Sequence, residues 1–400
     1  MRSLSTLTEL RRGDGCYATN AGSNGRTLAG QPTIETIGAL AIASAPAYIA
    51  DTCVRRPVWA FGASCLHLIA DVDGRVIPMT LTSPSSKTAT LFGGAGFIGR
   101  YIVRDLAQRG WRVRVVGRDP NRALFLKTAG VVGQVVPMFG NIRDDDSVAR
   151  AVAGADLVIN LVGLLYESGK NTFDAVHAQG AARIARAAAE NGAERLMQLS
   201  AIGASSTSDS DYARTKAQAE EAILAAYADA TILRPSIVFG PEDGFFNLFA
   251  GLAANAPALP LIGGGMTRFQ PVYVGDVADA VMACLDDPAT KGQVFELGGP
   301  QVLTFKELMQ LTMTHARRKR FLIPIPWPIA KVQAAVLGLL PKPLLTTDQL
   351  KQLRVDNVVA DGARGLLDLS IEPTAVEVVL PNYLKQYWPG GRFGSQTAKP

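Results

Sequence analysis

Two groups of residues in this chain could do chemistry. The first is Tyr212 and Lys216 in the stretch DYARTK, four positions apart and so on one face of a helix that carries them. An ammonium beside a phenol lowers its pKa from about 10 and makes the tyrosine a usable general acid or base, while the lysine can also bind a ribose. The second is the run GGAGFIG, in which Gly93, Gly96 and Gly99 recur at three-residue spacing and Gly94, Gly96 and Gly99 also satisfy GxGxxG. In such a run one glycine makes the tight strand-to-helix turn and one lets the backbone approach a pyrophosphate. The last lets the helix pack on the sheet, with its N-terminus facing the phosphates. The run follows an apolar strand and opens an amphipathic helix, the context that gives the motif weight.

If the ligand were NAD, an acidic residue about 20 positions further on would hold the ribose hydroxyls. Gly117 and Arg118 stand there instead. An arginine pairs with a 2′-phosphate and stacks on adenine, so NADPH (NADP) is favoured, with NADH as the alternative. Asp119 and Pro120 read as a helix cap and first helical position. By position, Asn141 and Ile142 could hold the adenine edge, and Leu161, Val162 and Gly163 could line the adenosine and nicotinamide side.

These residues need a scaffold, and from Lys87 short apolar runs alternate with amphipathic windows. TATLFG is followed by a helix through Ile98, Ile102 and Leu106, then RVRVVG, then a helix after Pro120. Further strands are expected at Gly133 to Pro137, Asp156 to Val162, Arg195 to Ser200 and Ala230 to Val238, with the longest helix over Thr172 to Asn191. That rhythm predicts an α/β fold, a doubly wound parallel sheet (Rossmann) of six strands over residues 87–240. Beyond Phe239 come short apolar pieces, PALPLIG, FQPVYV and VFELGG, with helices near Asp276 to Leu285 and Phe305 to Thr314. Residues 241–390 are expected to form a smaller C-terminal cap, with some return to the sheet, over the sheet edge where ligands bind.

With 48% hydrophobic and 19% charged residues, the 400-residue chain can bury a large core, which excludes a disordered class. A net charge of +5 is small for this length, and basic residues cluster only at Arg317, Arg318, Lys319 and Arg320, which argues against nucleic acid as a partner. Cys16, Cys53, Cys65 and Cys284 show no CxxC spacing, and His67, His177 and His315 no ligand spacing, so neither a disulfide framework nor a metal is expected. No run reaches the roughly 18 unbroken apolar residues of a spanning helix. The nearest, Phe321 to Leu340, is interrupted by three prolines and reads as a surface-seeking or partner-binding segment. Residues 1–78 differ in kind, holding seven arginines but none of the twelve lysines and following neither helical nor strand period. We read them as an extension outside the fold, with translation starting at Met79; a transit peptide is the runner-up, disfavoured by six acidic residues.

Taken together, GGAGFIG, NLVG at Asn160 to Gly163, YARTK and LRPSIVFG at Leu233 to Gly240 resemble the extended or atypical short-chain dehydrogenase/reductase superfamily, the NAD-dependent epimerase/dehydratase family, over about Lys87 to Pro300. Within it, VVGRDP, FGNIRD, LRPSIVFGPEDGFFN, QPVYVGDVA and FLIPIPWPIAK are similar to the NADPH-binding accessory subunits of respiratory complex I (NADH:quinone oxidoreductase) and their bacterial relatives. The resemblance implies a nucleotide bound without known turnover, and complex I subunits or a membrane surface as partner. It also implies a cytoplasmic protein, peripheral on the cytoplasmic face of the inner membrane, or on the matrix side in a mitochondrion. The cofactor positions it implies are Gly93, Gly96, Phe97, Ile98, Gly99, Arg118, Asn141, Leu161, Tyr212, Lys216 and Pro235.

Active members of the superfamily also place a serine or threonine hydroxyl after the fifth strand, beside the tyrosine. Here LSAIGASS offers Ser200 early in the loop, with Ser205 or Ser206 as substitutes only if the loop folds back. An incomplete triad leaves binding intact and favours a structural nucleotide. The alternative is an active NAD(P)-dependent oxidoreductase or epimerase with a lipidic, quinone-like or sugar-nucleotide substrate. The largely apolar segment Gly251 to Gly264 favours the lipidic or quinone-like class.

Overall fold

The computed structural model describes residues 67–70, 76–79 and 87–391, apart from 339, 341, 342 and 344. The chain divides into two units, Met1–Thr80 and Leu81–Pro400. In the first, strands β1 (His67–Ala70) and β2 (Val76–Met79) pair antiparallel with His67 opposite Met79. The reading of the remainder of residues 1–78 as an extension lies outside the described residues, as do Cys16, Cys53 and Cys65.

The second unit is built on seven parallel strands: β3 (Thr88–Phe92), β4 (Arg112–Gly117), β5 (Val135–Phe139), β6 (Leu157–Asn160), β7 (Arg195–Leu199), β8 (Thr231–Pro235) and β13 (Val294–Leu297). Their order is β13-β8-β7-β6-β3-β4-β5. The chain winds outward from β3 to β5, then restarts on the other side at β6. That reversal between β3 and β6 is the switch point at which doubly wound sheets bind ligands.

Both faces of the sheet are covered, which is why its strands read as continuous apolar runs. Ala89, Leu91, Val113 and Val115 share one layer with helices α1 (Phe97–Gln108) and α6 (Val274–Asp286). Phe92, Val116 and Val158 share the other with α2 (Asp145–Val152), α3 (Gln179–Glu190) and α4 (Asp211–Ala226). Helix α1 buries Gly99, Ile102, Val103 and Leu106, the stripe of an amphipathic helix laid on a sheet.

Two sequence expectations are corrected by long-range strand pairing, and two by local helix geometry. The sheet has seven strands and not six, because VFEL, expected among the cap pieces, pairs with β8 and makes the return to the sheet. The run Ala230 to Val238 is not one strand; it breaks after Pro235, and β9 (Val238–Phe239) pairs instead with β12 (Val272–Tyr273). After Pro120 the chain takes 3₁₀ turns over Pro120–Ala129, opened by Asp119 accepting the Asn121 N–H. The long helix expected over Thr172 to Asn191 begins with a widened π-type turn, Asp174–Ala178, before α3.

Beyond β9 lie α5 (Phe246–Asn255), β10 (Ala258–Ile262), β11 (Arg268–Phe269), β14 (Leu303–Thr304), α7 (Phe305–His315), β15 (Phe321–Ile325), α8 (Trp327–Leu337), α9 (Thr347–Gln352) and α10 (Val376–Tyr383). A second, smaller core gathers here around Phe239, Phe246, Leu259, Phe305, Leu308 and Leu380. Ala253, Leu259 and Leu261 are buried in it, so packing accounts for the apolar character of Gly251 to Gly264 that had pointed to a lipidic substrate. Strand β15 runs parallel to β10, and α8 packs Ala330 and Ala334 against Leu350 of α9. The opposite face of α8 leaves Ile329, Val332 and Val336 exposed, and Phe321 and Ile323 of the preceding strand β15 are exposed as well. Among the described residues no helix is long and apolar enough to cross a membrane.

Candidate functional site

At the end of β3 the chain turns at Gly93, whose φ of 82° lies in the left-handed region that glycine occupies without strain. Its N–H donates to Val116 O at 3.1 Å, and its carbonyl accepts from Gly96 N at 2.9 Å. A Cβ at Gly93 would meet the Leu161 carbonyl carbon at 3.2 Å and Val162 N at 3.3 Å, so the turn lies against the end of β6, at the switch point. A Cβ at Gly99 would stand 2.6 Å from Gly94 Cα, where only glycine lets α1 meet the turn. Exposed Gly96 would meet only Gly93 O, at 3.1 Å.

Gly96 is also the N-cap of α1 and has no side chain to satisfy the first-turn N–H groups of Phe97, Ile98 and Gly99. Orphan donors, an open approach and the positive end of a helix together fit a pyrophosphate. The Phe97 ring packs edge-on to Tyr101 at 6.3 Å and limits the space at Gly240, whose Cβ would lie 3.3 Å from it. Ile98 packs against the first core.

Arg118 is exposed at the end of β4 and donates from Nη1 to Asn171 Oδ1 at 3.0 Å. Asn141 closes a turn after β5: its Oδ1 accepts from Arg143 N at 3.2 Å, and its N–H donates to Ser147 Oγ at 3.0 Å. The Ile142 side chain is buried in the second core beneath α3, where Gly180 leaves room for it. Leu161 N donates to Phe92 O at 2.9 Å, and Val162 N to Asn160 Oδ1 at 3.1 Å. Pro235 is buried at the end of β8, its carbonyl accepting from Ile202 N at 3.0 Å.

Tyr212 and Lys216 open α4 on one face, with Lys216 Nζ 5.9 Å from the tyrosine ring centroid. Nζ is buried and donates to Leu199 O at 3.2 Å. A Cβ at Gly163 would lie 3.5 Å from that Nζ, so the loop after β6 faces the ammonium. The expected lowering of the phenol's pKa is not observed: burial, with Asp348 adding to it, pushes Tyr212 up to about 12. Burial pushes Lys216 down to about 8, with Glu220 opposing. Loss of water disfavours phenolate and ammonium alike, which raises the one pKa and lowers the other.

The Ser200 hydroxyl is buried and donates to Glu220 Oε1, a carboxylate that Arg234 also grips through Nε at 3.0 Å. Among the described residues no hydrogen bond joins Ser200 to Tyr212. Ser205 Oγ lies 3.0 Å from Thr207 Oγ1 in its own loop, and Ser206 is exposed.

Two residues at this site escaped the sequence reading. His177 is 2% exposed in the π-type turn; its Nε2 accepts the Leu164 N–H at 2.8 Å, and its Nδ1 lies 3.2 Å from Thr215 Oγ1. Its ring centroid is 5.4 Å from those of both Phe173 and Tyr212. Burial, with Lys216 nearby, holds it down at about 3, so the ring is neutral at pH 7. The second is Asp348 of α9, which accepts from Ser210 Oγ, Asp211 N and Tyr212 N at the start of α4. The widened turn has no sequence signature, and Asp348 lies far along the chain from the turn it caps.

A model of the NAD dependent epimerase/dehydratase family matches residues 89–298, which run from β3 to the end of β13 and leave out only Asp348 of the residues described above. The chain belongs to that family. Nicotinamide dinucleotide is therefore the ligand class of the site, and the glycine cradle fits it. The chain is 40% identical over 331 residues, 80% of this chain and 82% of the other, to the Arabidopsis thaliana protein named NADH dehydrogenase [ubiquinone] 1 alpha subcomplex subunit 9, mitochondrial. A Caulobacter vibrioides protein named ceramide reductase is 34% identical over 213 residues, 52% of this chain and 64% of that protein. The fold is shared with DesIV, a dTDP-glucose 4,6-dehydratase of Streptomyces venezuelae solved with NAD and TYD bound, at a TM-score of 0.53 and 22% identity over 60% of this chain and 84% of that one.

Proposed function

We propose that this protein is an NADPH-binding accessory subunit of the respiratory complex I type, in which the nucleotide serves structure and not turnover. The observation that carries the second half is Ser200: its hydroxyl is committed to Glu220, so Tyr212 lacks the hydroxyl partner that active members of the superfamily use. The assembly half rests on the similarity to the Arabidopsis complex I subunit across four fifths of both chains.

In this reading the Gly93–Gly99 turn and the first-turn N–H groups of α1 hold the pyrophosphate. Arg118 exchanges Asn171 for the 2′-phosphate, Asn141 and Ile142 flank the adenine through their backbone, and Leu161, Val162 and Gly163 line the path toward Lys216. Pro235 closes the far wall. The surface for the respiratory partner is the exposed apolar face of β15 and α8, where Phe321 is 79% and Val332 67% exposed. The neighbouring basic cluster is partly engaged: Arg318 Nε donates to Tyr387 O, Arg320 Nε to Ala253 O, and Arg317 sits 3.6 Å from the Trp388 ring centroid. That favours a protein partner over a lipid headgroup layer. The corresponding location is peripheral, on the cytoplasmic face of a bacterial inner membrane or the matrix side of a mitochondrial one.

A second reading, an active reductase on a lipidic substrate, is favoured by the resemblance to the protein named ceramide reductase. There the dinucleotide supplies the redox chemistry, and the Tyr212 phenol, protonated at neutral pH, gives its proton to the substrate oxygen while Lys216 holds the ribose.

The test is a calorimetric titration of the parent protein and Arg118→Ala with NADPH and NADH. The variant should lose about tenfold or more in NADPH affinity and little in NADH affinity, in line with the loss of a charge-assisted hydrogen bond. Equal losses would remove the 2′-phosphate assignment.

A further inference from the structure

We propose that His177 is the positioning residue of the non-adenosine end of the nucleotide site, fixing the Gly163–Leu164 backbone against Lys216 and Tyr212. The inference rests on the nucleotide reading above and extends it to a residue in none of the motifs.

The direction of the ligand follows from topology. Arg118 ends β4, while the loop of residues 161–164 ends β6 and Tyr212 and Lys216 follow β7, on the other side of β3. With strands about 4.8 Å apart, the ends of β4 and β7 are separated by roughly 14 Å, the span of a dinucleotide laid across the switch point. Gly163 therefore lies beneath the half of the ligand remote from Arg118. Its lack of a side chain leaves the main chain open to Lys216, and a Cβ there would also stand 4.0 Å from His177 Nε2.

That backbone is held by an unusual anchor. Leu164 N–H donates to the imidazole and not to a strand neighbour. The Thr215 hydroxyl donates to Asp211 O at 2.8 Å, so the proton between Thr215 and the ring belongs to His177 Nδ1. Nε2 is then the acceptor that Leu164 requires. The ring is thus tied at one nitrogen to the loop after β6 and at the other to α4, one residue from Lys216. Phe173 and Tyr212 close on its faces and edge. The π-type turn that carries His177 adds to the case, because such turns interrupt a helix at a cost and recur at functional sites. A buried neutral imidazole bridging two elements sets the distance between them, here between the loop and the Tyr212–Lys216 face.

The experiment compares two ligands on four proteins: the parent, His177→Leu, His177→Gln and Thr215→Val. Each is titrated calorimetrically with NADPH and with 2′,5′-ADP, which carries the adenosine half alone. We expect His177→Leu to bind NADPH about tenfold more weakly and 2′,5′-ADP within about twofold of the parent, the loss of one buried hydrogen bond felt at one end of the ligand. His177→Gln, which keeps an acceptor for Leu164, should recover most of the NADPH affinity. Thr215→Val, which keeps the ring and removes its second anchor, should repeat the split more weakly and so decides the matter if His177→Leu does not fold. Unchanged NADPH affinity in the folded variants, or equal losses of both ligands, would overturn the role of His177. A parent protein that binds neither ligand would instead overturn the nucleotide reading, and this inference with it.

Discussion

Asp348 accepts the main-chain N–H of Tyr212 at 3.3 Å, although 136 residues separate the two in sequence. The same carboxylate accepts the Ser210 hydroxyl at 2.9 Å, Asp211 N at 2.7 Å and Gln352 Nε2 at 3.0 Å. The first turn of α4 is thus capped from within by Ser210, which accepts from Ala213 N, and from outside by α9. The helix that presents Tyr212 and Lys216 is held by the same short helix on which α8 packs.

Asp348→Ala should therefore cost about 2 kcal/mol of stability, the sum expected for a lost cap and buried donors left without an acceptor. Asp348→Asn, which keeps one oxygen, should cost about half as much. Urea midpoints measure both, and a midpoint for Asp348→Ala equal to the parent's would contradict the capping role.

The glycines of the turn should separate by task. Gly96→Val should leave the melting temperature within a few degrees of the parent's yet weaken NADPH binding at least about tenfold, since its side chain would enter the phosphate approach. Gly99→Val should fail to fold or melt far lower, because its Cβ would meet Gly94 at 2.6 Å. If the two variants behaved alike, the division between ligand approach and helix packing would be wrong.

The local level of this architecture was legible in the sequence, and the long-range level was not. Strands β3 to β7 and the Gly93–Gly99 turn follow from alternation, apolar runs and spacing, all properties of neighbouring residues. VFEL carries no mark of the sheet it joins, because its partner Thr231–Pro235 lies some sixty residues earlier. The pair Tyr212 and Lys216 was visible from helical periodicity, but the upward shift of the phenol was not, since Phe173 and His177 pack on the ring and the charge of Asp348 acts on it from other elements. Ser200 was visible as a hydroxyl near the right place; its direction, toward Glu220, depends on a residue twenty positions on.

His177 should also leave a mark on acid stability. Its folded pKa of about 3 lies below the unfolded value of 6.5, so its contribution is fully present above pH 6.5 and is lost as pH falls toward 3. Over that window the unfolded chain takes a proton that the folded protein refuses, a slope of at most about 1.4 kcal/mol per pH unit. Between pH 6.5 and 5 the parent should lose up to about 2 kcal/mol more than His177→Gln, measured by urea unfolding at each pH. Parallel losses in the two proteins would mean that the ring is protonated in the fold.

The exposed face of β15 and α8 should be dispensable for the fold and needed for assembly. Val332→Glu combined with Val336→Glu places two charges on already exposed positions, so stability should change by less than about 0.5 kcal/mol and NADPH should still bind. Co-migration with the respiratory complex on native gels of membranes should be lost. Retained co-migration would move the partner surface elsewhere.

The most direct test of the account is to purify the protein with its native nucleotide, identify that nucleotide by mass spectrometry, and follow the reduced-nicotinamide absorbance while quinones, ceramide-like ketones and simple carbonyl compounds are added. The account predicts bound NADPH whose absorbance none of them diminishes. Steady oxidation by any one of them would contradict a structural nucleotide and establish an active oxidoreductase.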